Sequence, residues 1–296
     1  MSSGPDSQPQ PCFICVAGLT LRIETDRVLE EEARFRPFLT GEQTPDFRIT
    51  FRQVDELPPI PAEVLYESDC YRVHPDGRGG YLRSFFDAPR DLTPYAVAVY
   101  DYPAGQIRID YLEKGAKCVS EMHNSFFHLG FEALLIHRRR LCLHAACVET
   151  PLGGILFSGQ SGIGKSTQAE LWCRYRGAKQ INGDRPILSQ GEDGWLAWGS
   201  PYAGSSRCHL NESCPVTAIV MLRQAKECSL RRLSPPEAFR AVWSGITMHS
   251  WDEAFVEKAC DLALELTGAV PVFEFSCTPD EAAVNYLEKG LREWKL

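Results

Sequence analysis

The sequence has no long apolar run and no export signal. Its longest strongly apolar stretches, such as Phe131 to Ile136 and Val216 to Leu222, are far shorter than the roughly 20 residues that a membrane-spanning helix requires. The polar N-terminus, MSSGPDSQPQ, lacks the basic and then apolar pattern of a signal peptide. These absences predict a cytoplasmic protein with no membrane partner.

The chain also has fewer basic than acidic side chains. The chain has 31 Lys and Arg against 39 Asp and Glu, which gives a net charge of -8. A surface of this sign matches a nucleic-acid backbone poorly, so no nucleic-acid partner is expected. The hydrophobic share of 44% and the charged share of 24% are ordinary for a globular protein. They exclude a disordered, collagen-like or coiled-coil chain.

The 12 cysteines largely lack the spacing of a metal site. Only Cys12 and Cys15 form a CxxC pair, and no second CxxC or nearby histidine pair completes a zinc site. Several cysteines lie inside apolar runs, where a thiol behaves as a small hydrophobic group. We therefore predict reduced, buried cysteines rather than a disulfide or metal framework.

Residues 11–137 are predicted to form a β-rich domain, preceded by a flexible tail at residues 1–10. Short β-branched or aromatic runs are separated by turn signals such as HPDGRGG. The alternation of Phe47, Ile49 and Phe51 is typical of a strand with one buried face. The pattern predicts a mostly antiparallel sheet, which carries no recognisable catalytic motif.

A helix is predicted over residues 121–137, where Phe127, Phe131 and Leu134 share one face. The basic triplet at 138–140 follows it, and either binds an anionic partner or complements the helix dipole. We expect this helix to join the two domains.

Residues 138–296 are predicted to form an α/β domain. The chain as a whole is predicted to be α+β. Apolar strand patterns alternate with helical ones in this second domain. Capping boxes that begin at Ser234, Ser250 and Thr278 predict the starts of three helices.

The sequence G-Q-S-G-I-G-K-S fits the phosphate-binding loop pattern G-x-x-x-x-G-K-[ST]. Its glycines allow backbone amides to surround a phosphate, and the following helix directs its positive end at the same anion. An apolar strand before the loop and a helical pattern after it favour this site over a structural glycine turn. Lys165 is predicted to reach the β- and γ-phosphates of ATP, and the Ser166 hydroxyl to bind Mg²⁺. The predicted nucleotide-binding residues of the loop are Gly159, Gln160, Ser161, Gly162, Ile163, Gly164, Lys165, Ser166 and Thr167.

Three residues outside the loop are further candidates. Asp184 lies at a predicted strand end in INGDRP, where it serves either as a metal ligand or as a turn former. His144 lies in the predicted strand before the loop strand, and is either a core residue or a functional one. Arg207, in a loop rich in glycine and serine, either contacts a phosphate or is solvated.

The run LHAACVETPLGGILFSGQSGIGKSTQAELW, followed by INGDRPIL and WGSPYAGSS, resembles the catalytic domain of HPr kinase/phosphorylase. It is more distantly similar to the ATP-dependent phosphoenolpyruvate carboxykinases. The resemblance covers about residues 140–225, and more loosely the rest of the C-terminal half. The whole chain resembles bacterial HPr-kinase-related proteins with an added N-terminal β-rich domain. Some of these accompany peptide-modification systems, and their lasso-peptide members are kinases.

The resemblance implies roles for individual residues. Lys165 and Ser166 take the phosphate and Mg²⁺ roles, and His144 matches the family histidine beside the transferred phosphoryl group. Asp184 matches the first acid of the family's paired-acid motif, which serves as metal ligand and general base. This chain has Arg185 after Asp184 where the family usually has a second acid. Either Asp184 alone serves both purposes, or Arg185 stabilises charge while another acid completes the set.

The leading hypothesis is a Mg²⁺- and ATP-dependent kinase that phosphorylates a hydroxyl on a peptide, a protein or a small molecule. The N-terminal sheet is the expected place for acceptor or partner recognition. The alternative is a nucleotide-binding partner or scaffold protein that has lost transfer chemistry, because the acidic pair is broken. A transport or motor ATPase is disfavoured, since no apolar run ending in Asp or Asp-Glu reads as the usual second acidic motif of such enzymes. Homo-oligomer formation is expected from the resemblance only, because kinases of this type often assemble.

Overall fold

The computed structural model describes residues 10–30, 32–88 and 91–294, so nearly all of the predicted tail lies outside the described residues. The chain divides into two compact units, one up to residue 134 and the other from residue 135. Both units combine strands with helices, which makes the protein a mixed α/β structure. Within the described ranges, no helix is long and apolar enough to cross a membrane.

The N-terminal unit contains a mixed nine-stranded sheet in the order β3-β1-β2-β4-β9-β8-β7-β6-β5. Its strands are β1 (Cys12–Val16), β2 (Leu19–Glu24), β3 (Leu39–Thr40), β4 (Phe47–Gln53), β5 (Tyr66–Glu67), β6 (Tyr71–Pro75), β7 (Tyr81–Phe85), β8 (Ala96–Asp101) and β9 (Gln106–Tyr111). Most neighbours are antiparallel, but β4 runs parallel to both β2 and β9. The one-sided burial expected of β4 is confirmed, because Phe47, Ile49 and Phe51 are buried while Arg48 and Arg52 are exposed.

The helix predicted over 121–137 is two helices, and that prediction is wrong in this respect. After α1 (Ala116–Ser120), α2 covers Met122–Leu129 and α3 covers Phe131–His137. Gly130 separates α2 from α3 with a φ of +62°, a left-handed conformation that ends a helix. The break also removes Phe127 from the expected buried face, and its side chain is 40% exposed.

The C-terminal unit begins within α3 and contains a second sheet flanked by helices. Its strands are β10 (Arg140–Cys142), β11 (Ala145–Thr150), β12 (Gly153–Ser158), β13 (Lys179–Asn182), β14 (Ile187–Gly191), β15 (Gly194–Trp198), β16 (Ser213–Gln224), β17 (Ser229–Arg232) and β18 (Val272–Cys277). Its remaining helices are α4 (Lys165–Arg176), α5 (Pro235–Trp243), α6 (Glu253–Ala269) and α7 (Glu281–Glu293).

The middle of this second sheet is parallel, because β12 and β18 both run parallel to the long strand β16. The apolar core lies on the face covered by α4 and α7, where Phe157 packs near Trp172. Ser158, the next residue on β12, faces the other way toward Gly245 at the end of α5. The carboxyl ends of β12 and β16 therefore meet at an edge with α4 on one side and α5 on the other.

Two kinds of side-chain cap begin α5, α6 and α7. The capping box of Ser234 and Glu237 at the start of α5 is present as predicted. The other two helices start later than their hydroxyl residues predicted, because Asp252 caps α6 and Asp280 caps α7. The Asp252 carboxylate accepts a hydrogen bond from the backbone N–H of Phe255, which the more distant serine does not.

Candidate functional site

The phosphate loop joins β12 to α4, and its backbone requires glycine at three positions, one of which is Gly159 with a φ of +140°. Gly162 and Gly164 have φ angles of +78° and +111°, which L-residues rarely adopt. No atom lies within 4 Å of the place where a Cβ would stand on either residue. Gly164 is also the N-cap of α4, which has no side-chain cap, unlike α5, α6 and α7. No side chain caps the positive end of α4, so its first backbone N–H groups are available to an anion.

Lys165 folds back over the beginning of the loop. Its side chain is buried, and Nζ donates hydrogen bonds to Gly159 O at 3.1 Å and Gln160 O at 3.2 Å. Burial lowers the pKa of this ammonium, while the Asp184 carboxylate acts in the opposite direction. The lysine is thus held between the loop and Asp184, where it can contact the outer phosphates of a bound nucleotide.

The far side of the loop is held by Gln224, at the end of β16. Its Nε2 donates to Gly162 O at 3.5 Å and to Ile163 O at 3.4 Å. Sequence reasoning missed this residue, because nothing in the sequence of β16 indicates that its last side chain reaches the loop.

Asn182 forms the turn that presents Asp184. This buried residue ends β13, and its Oδ1 accepts hydrogen bonds from the backbone N–H groups of Asp184 at 3.0 Å and Arg185 at 2.7 Å. Its Nδ2 donates to Ser200 O at 3.1 Å. The turn-forming role considered for Asp184 therefore belongs to Asn182, and the Asp184 carboxylate is left to make other contacts. The motif Asn-Gly-Asp was the available signal, since asparagine commonly stabilises such turns.

His144 and Asp184 come together in space, with His144 Nε2 at 3.3 Å from Asp184 Oδ1. His144 does not lie in a strand as predicted, but in the short break between β10 and β11. The break is held on both sides, because His144 N donates to Gly245 O at 2.8 Å and Ala145 N donates to Asp184 O at 2.9 Å. Burial lowers the pKa of His144, Lys165 lowers it further, and Asp184 opposes both.

Arg185 also reaches the site. Its Nε lies 3.5 Å from Asp184 Oδ2, and its Nη1 donates to Thr247 Oγ1 at 3.3 Å. The carboxylate of Asp184 is thereby placed between an imidazole and a guanidinium. The alternative in which Arg185 stabilises charge while another acid completes the set stays a prediction.

Arg207 does not take part in the contacts among His144, Asp184 and Arg185. It follows the 3₁₀ turn Gly204–Ser206, is exposed, and has a left-handed φ of +55°. Across the described residues, no carboxylate lies within ion-pair distance of it. The turn that precedes it packs closely on Asp184, since a Cβ on Gly204 would lie 2.8 Å from Asp184 Cβ. Its predicted role as a phosphate contact stays a prediction.

The donor atoms present fit a Mg²⁺ ion that arrives with a nucleotide. Ser166 is half-buried in the first turn of α4, and Asp184 supplies a carboxylate, so both offer the oxygen ligands that Mg²⁺ prefers. Within the described ranges, no group of three or more His, Cys, Asp or Glu residues could hold a metal ion. Such a group is not required here, because Mg²⁺ at phosphate sites commonly uses one or two protein oxygens together with phosphates and water.

A cavity of 670 Å³ opens beside the loop, on the α5 side of the sheet. Its lining includes His144, Gly159, Gln160, Arg223 and Glu274. The walls combine these polar groups with apolar ones from β16 and α5. This size and mixture are typical of small-molecule sites. The cavity was not predictable from the sequence, because its walls come from distant parts of the chain.

Comparisons with known proteins do not place the chain in a family. No family model matches it, and no curated protein matches it. Among solved structures, it is similar to the Hpr(Ser) kinase/phosphatase from Coxiella burnetii, with 14% sequence identity and a TM-score of 0.32. That alignment covers 52% of this chain and 97% of the other. Membership of the HPr-kinase-related group therefore stays a prediction from the sequence.

Proposed function

We propose that this protein is a Mg²⁺- and ATP-dependent kinase that phosphorylates a hydroxyl group. The observation that carries the proposal is the convergence of two groups of residues. One is the open glycine loop with Lys165 and the uncapped start of α4. The other is the pair formed by His144 and Asp184, whose carboxylate is close enough to Lys165 to affect its pKa.

Phosphoryl transfer depends mainly on positioning and on neutralising charge, and these residues supply both. The loop amides and Lys165 bind the β- and γ-phosphates. Mg²⁺, held from Ser166 and Asp184, would neutralise phosphate charge. Asp184 orients the acceptor hydroxyl and takes its proton while the acceptor oxygen bonds to the γ-phosphorus. The bond from the γ-phosphorus to the bridging oxygen breaks, and ADP leaves with that electron pair.

The second candidate function is a nucleotide-binding partner or scaffold protein without transfer chemistry. One observation favours it: Asp184 is the single carboxylate in this set of contacts, and it already faces His144 and Arg185. A kinase and a scaffold differ in turnover rather than in binding.

The test is a titration with Mg·ATP followed by a transfer assay. The Lys165→Ala variant should weaken Mg·ATP binding by roughly tenfold or more, because it removes charge-assisted hydrogen bonds to phosphate. The matched control is Lys179→Ala, which removes the same charge from an exposed lysine paired with Glu212. Wild-type affinity in Lys165→Ala would refute the phosphate site. Labelled phosphate moving from [γ-³²P]ATP to candidate acceptors supports the kinase, and saturable binding without transfer supports the scaffold.

A further inference from the structure

We infer that the cavity beside the phosphate loop binds the phosphoacceptor, and that Arg223 recognises an anionic group on it. The acceptor is then a small hydroxyl compound that carries a carboxylate or a phosphate. This inference rests on the proposed function, because it assigns the second substrate of the same site.

The position of the cavity places it at the γ-phosphate end of the loop. Lys165 is the residue that contacts the outer phosphates in such loops. Its Nζ donates hydrogen bonds to the carbonyl oxygens of Gly159 and Gln160. The same two residues line the cavity, together with His144. A molecule in this cavity would therefore lie next to the phosphoryl group that is transferred.

Arg223 is a cation that can be recruited to a ligand. Its Nε lies 2.5 Å from Glu274 Oε2, and its side chain is 68% exposed. Glu274 has a second cationic partner, because Arg231 Nη2 lies 3.4 Å from its Oε1. If Arg223 turns toward a ligand anion, Glu274 keeps Arg231 as its partner. The recruitment therefore does not leave a carboxylate without a counter-charge.

The strand register sets the size of the compound. Ala145 on β11 pairs with Ser158 on β12, which pairs with Met221 on β16. His144 and Arg223 lie just beyond this row, so two strand spacings of about 4.8 Å put their backbones about 10 Å apart. When Arg223 turns from Glu274 toward His144, both side chains enter that space, and the remaining room fits a compound of a few carbon atoms. A concave site of 670 Å³ also suits a small molecule better than the surface of a folded protein.

The experiment uses three compounds that share a glycerol backbone. D-glycerate carries a carboxylate, glycerol 3-phosphate carries a phosphate, and glycerol carries no charge. Each is titrated into the full-length protein with Mg²⁺ and a non-hydrolysable ATP analogue. We expect at least one anion to bind roughly tenfold or more tightly than glycerol, the range for a charge-assisted hydrogen bond. The anion that binds with the higher affinity identifies the group that Arg223 recognises.

Variants of Arg223 test whether this residue causes the preference for an anion. Arg223→Ala should abolish the preference for the anion, and Arg223→Lys should restore part of it. Arg232→Ala is the matched control, because it removes the same charge from a residue that contacts the Trp294 ring and not the cavity. An anion preference that is absent from the wild type, or that persists in Arg223→Ala, would overturn the inference. Transfer to a peptide that is unaffected by Arg223→Ala would also overturn it.

Failure of the proposed function gives a different result. In that case the wild type does not bind Mg·ATP, or binds it without transferring phosphate to any acceptor, whereas the anion preference and its dependence on Arg223 persist. Binding of Mg·ATP without any anion preference defeats the acceptor inference alone.

Discussion

Asp184 Oδ1 lies 3.3 Å from His144 Nε2. This contact joins two residues from separate turns of the C-terminal unit. Each turn is fixed by backbone hydrogen bonds, including the one from Ala145 N to Asp184 O at 2.9 Å. The pair is therefore held in place by the fold rather than by its own side-chain contact. This geometry allows either side chain to be replaced while the backbone of the site is kept.

The Asp184→Asn variant keeps the size of the side chain and removes its charge and basicity. We expect transfer to fall by about a hundredfold or more, the usual contribution of a positioned base, while Mg·ATP binding remains measurable. His144→Gln should reduce turnover less, because His144 contacts Asp184 and is not itself the proposed base. Steady-state transfer rates and a separate Mg·ATP titration measure the two effects. The control is Asp193→Asn in the exposed turn between β14 and β15, and undiminished turnover in Asp184→Asn would remove that residue from the mechanism.

The caps of α6 give a test of helix stability. Asp252→Ala removes the side chain that accepts from Phe255 N, so it should lower the free energy of unfolding by about 1 kcal/mol. Ser250→Ala is the matched control and should change it by less than about 0.5 kcal/mol, because Ser250 is exposed and is not the cap. Urea unfolding followed by tryptophan fluorescence measures both variants. A larger loss for Ser250→Ala would show that the helix starts at the serine.

His128 should make the N-terminal unit sensitive to acid. Burial lowers its pKa to about 4, and its Nδ1 lies 2.6 Å from Asn124 O. The unfolded chain takes up this proton near pH 6.5, so unfolding binds a proton between about pH 6.5 and 4 and stability falls as the pH is lowered through that window. The total loss from this one group is about 3 kcal/mol. The His128→Gln variant should show a shallower dependence on pH in the same range.

The two units can be followed separately in that measurement. All 6 tryptophans lie beyond residue 134, so tryptophan fluorescence reports the C-terminal unit alone. Circular dichroism reports both units, and a transition seen only by circular dichroism belongs to the N-terminal one. An equal pH dependence of that transition in the wild type and in His128→Gln would contradict the role of His128.

Much of the candidate site could be predicted because it depends on short-range chemistry. The loop pattern, the strand before it and the helix after it are adjacent in sequence, and Lys165 acts within that segment. The one-sided burial of β4 was also predictable, since Phe47, Ile49 and Phe51 alternate with polar residues. Local patterns of this kind need no information about the rest of the chain.

The features that the sequence did not predict depend on contacts between distant segments. The second hydrogen bond that holds the Asn182 side chain depends on Ser200, and the cavity depends on β16, β18 and α5 meeting at one edge. The parallel pairing of β4 depends on which strands flank it, and periodicity carries no such information. Gly130 was visible in the sequence, but its left-handed φ of +62° was not.

The two ends of the N-terminal sheet bear on how the protein behaves at high concentration. The outermost strands, β3 and β5, are only two residues long. A neighbouring molecule that approaches either border finds too few free amides and carbonyls to extend the ladder. The short edge strands therefore limit how far this nine-stranded sheet can be extended by pairing between molecules.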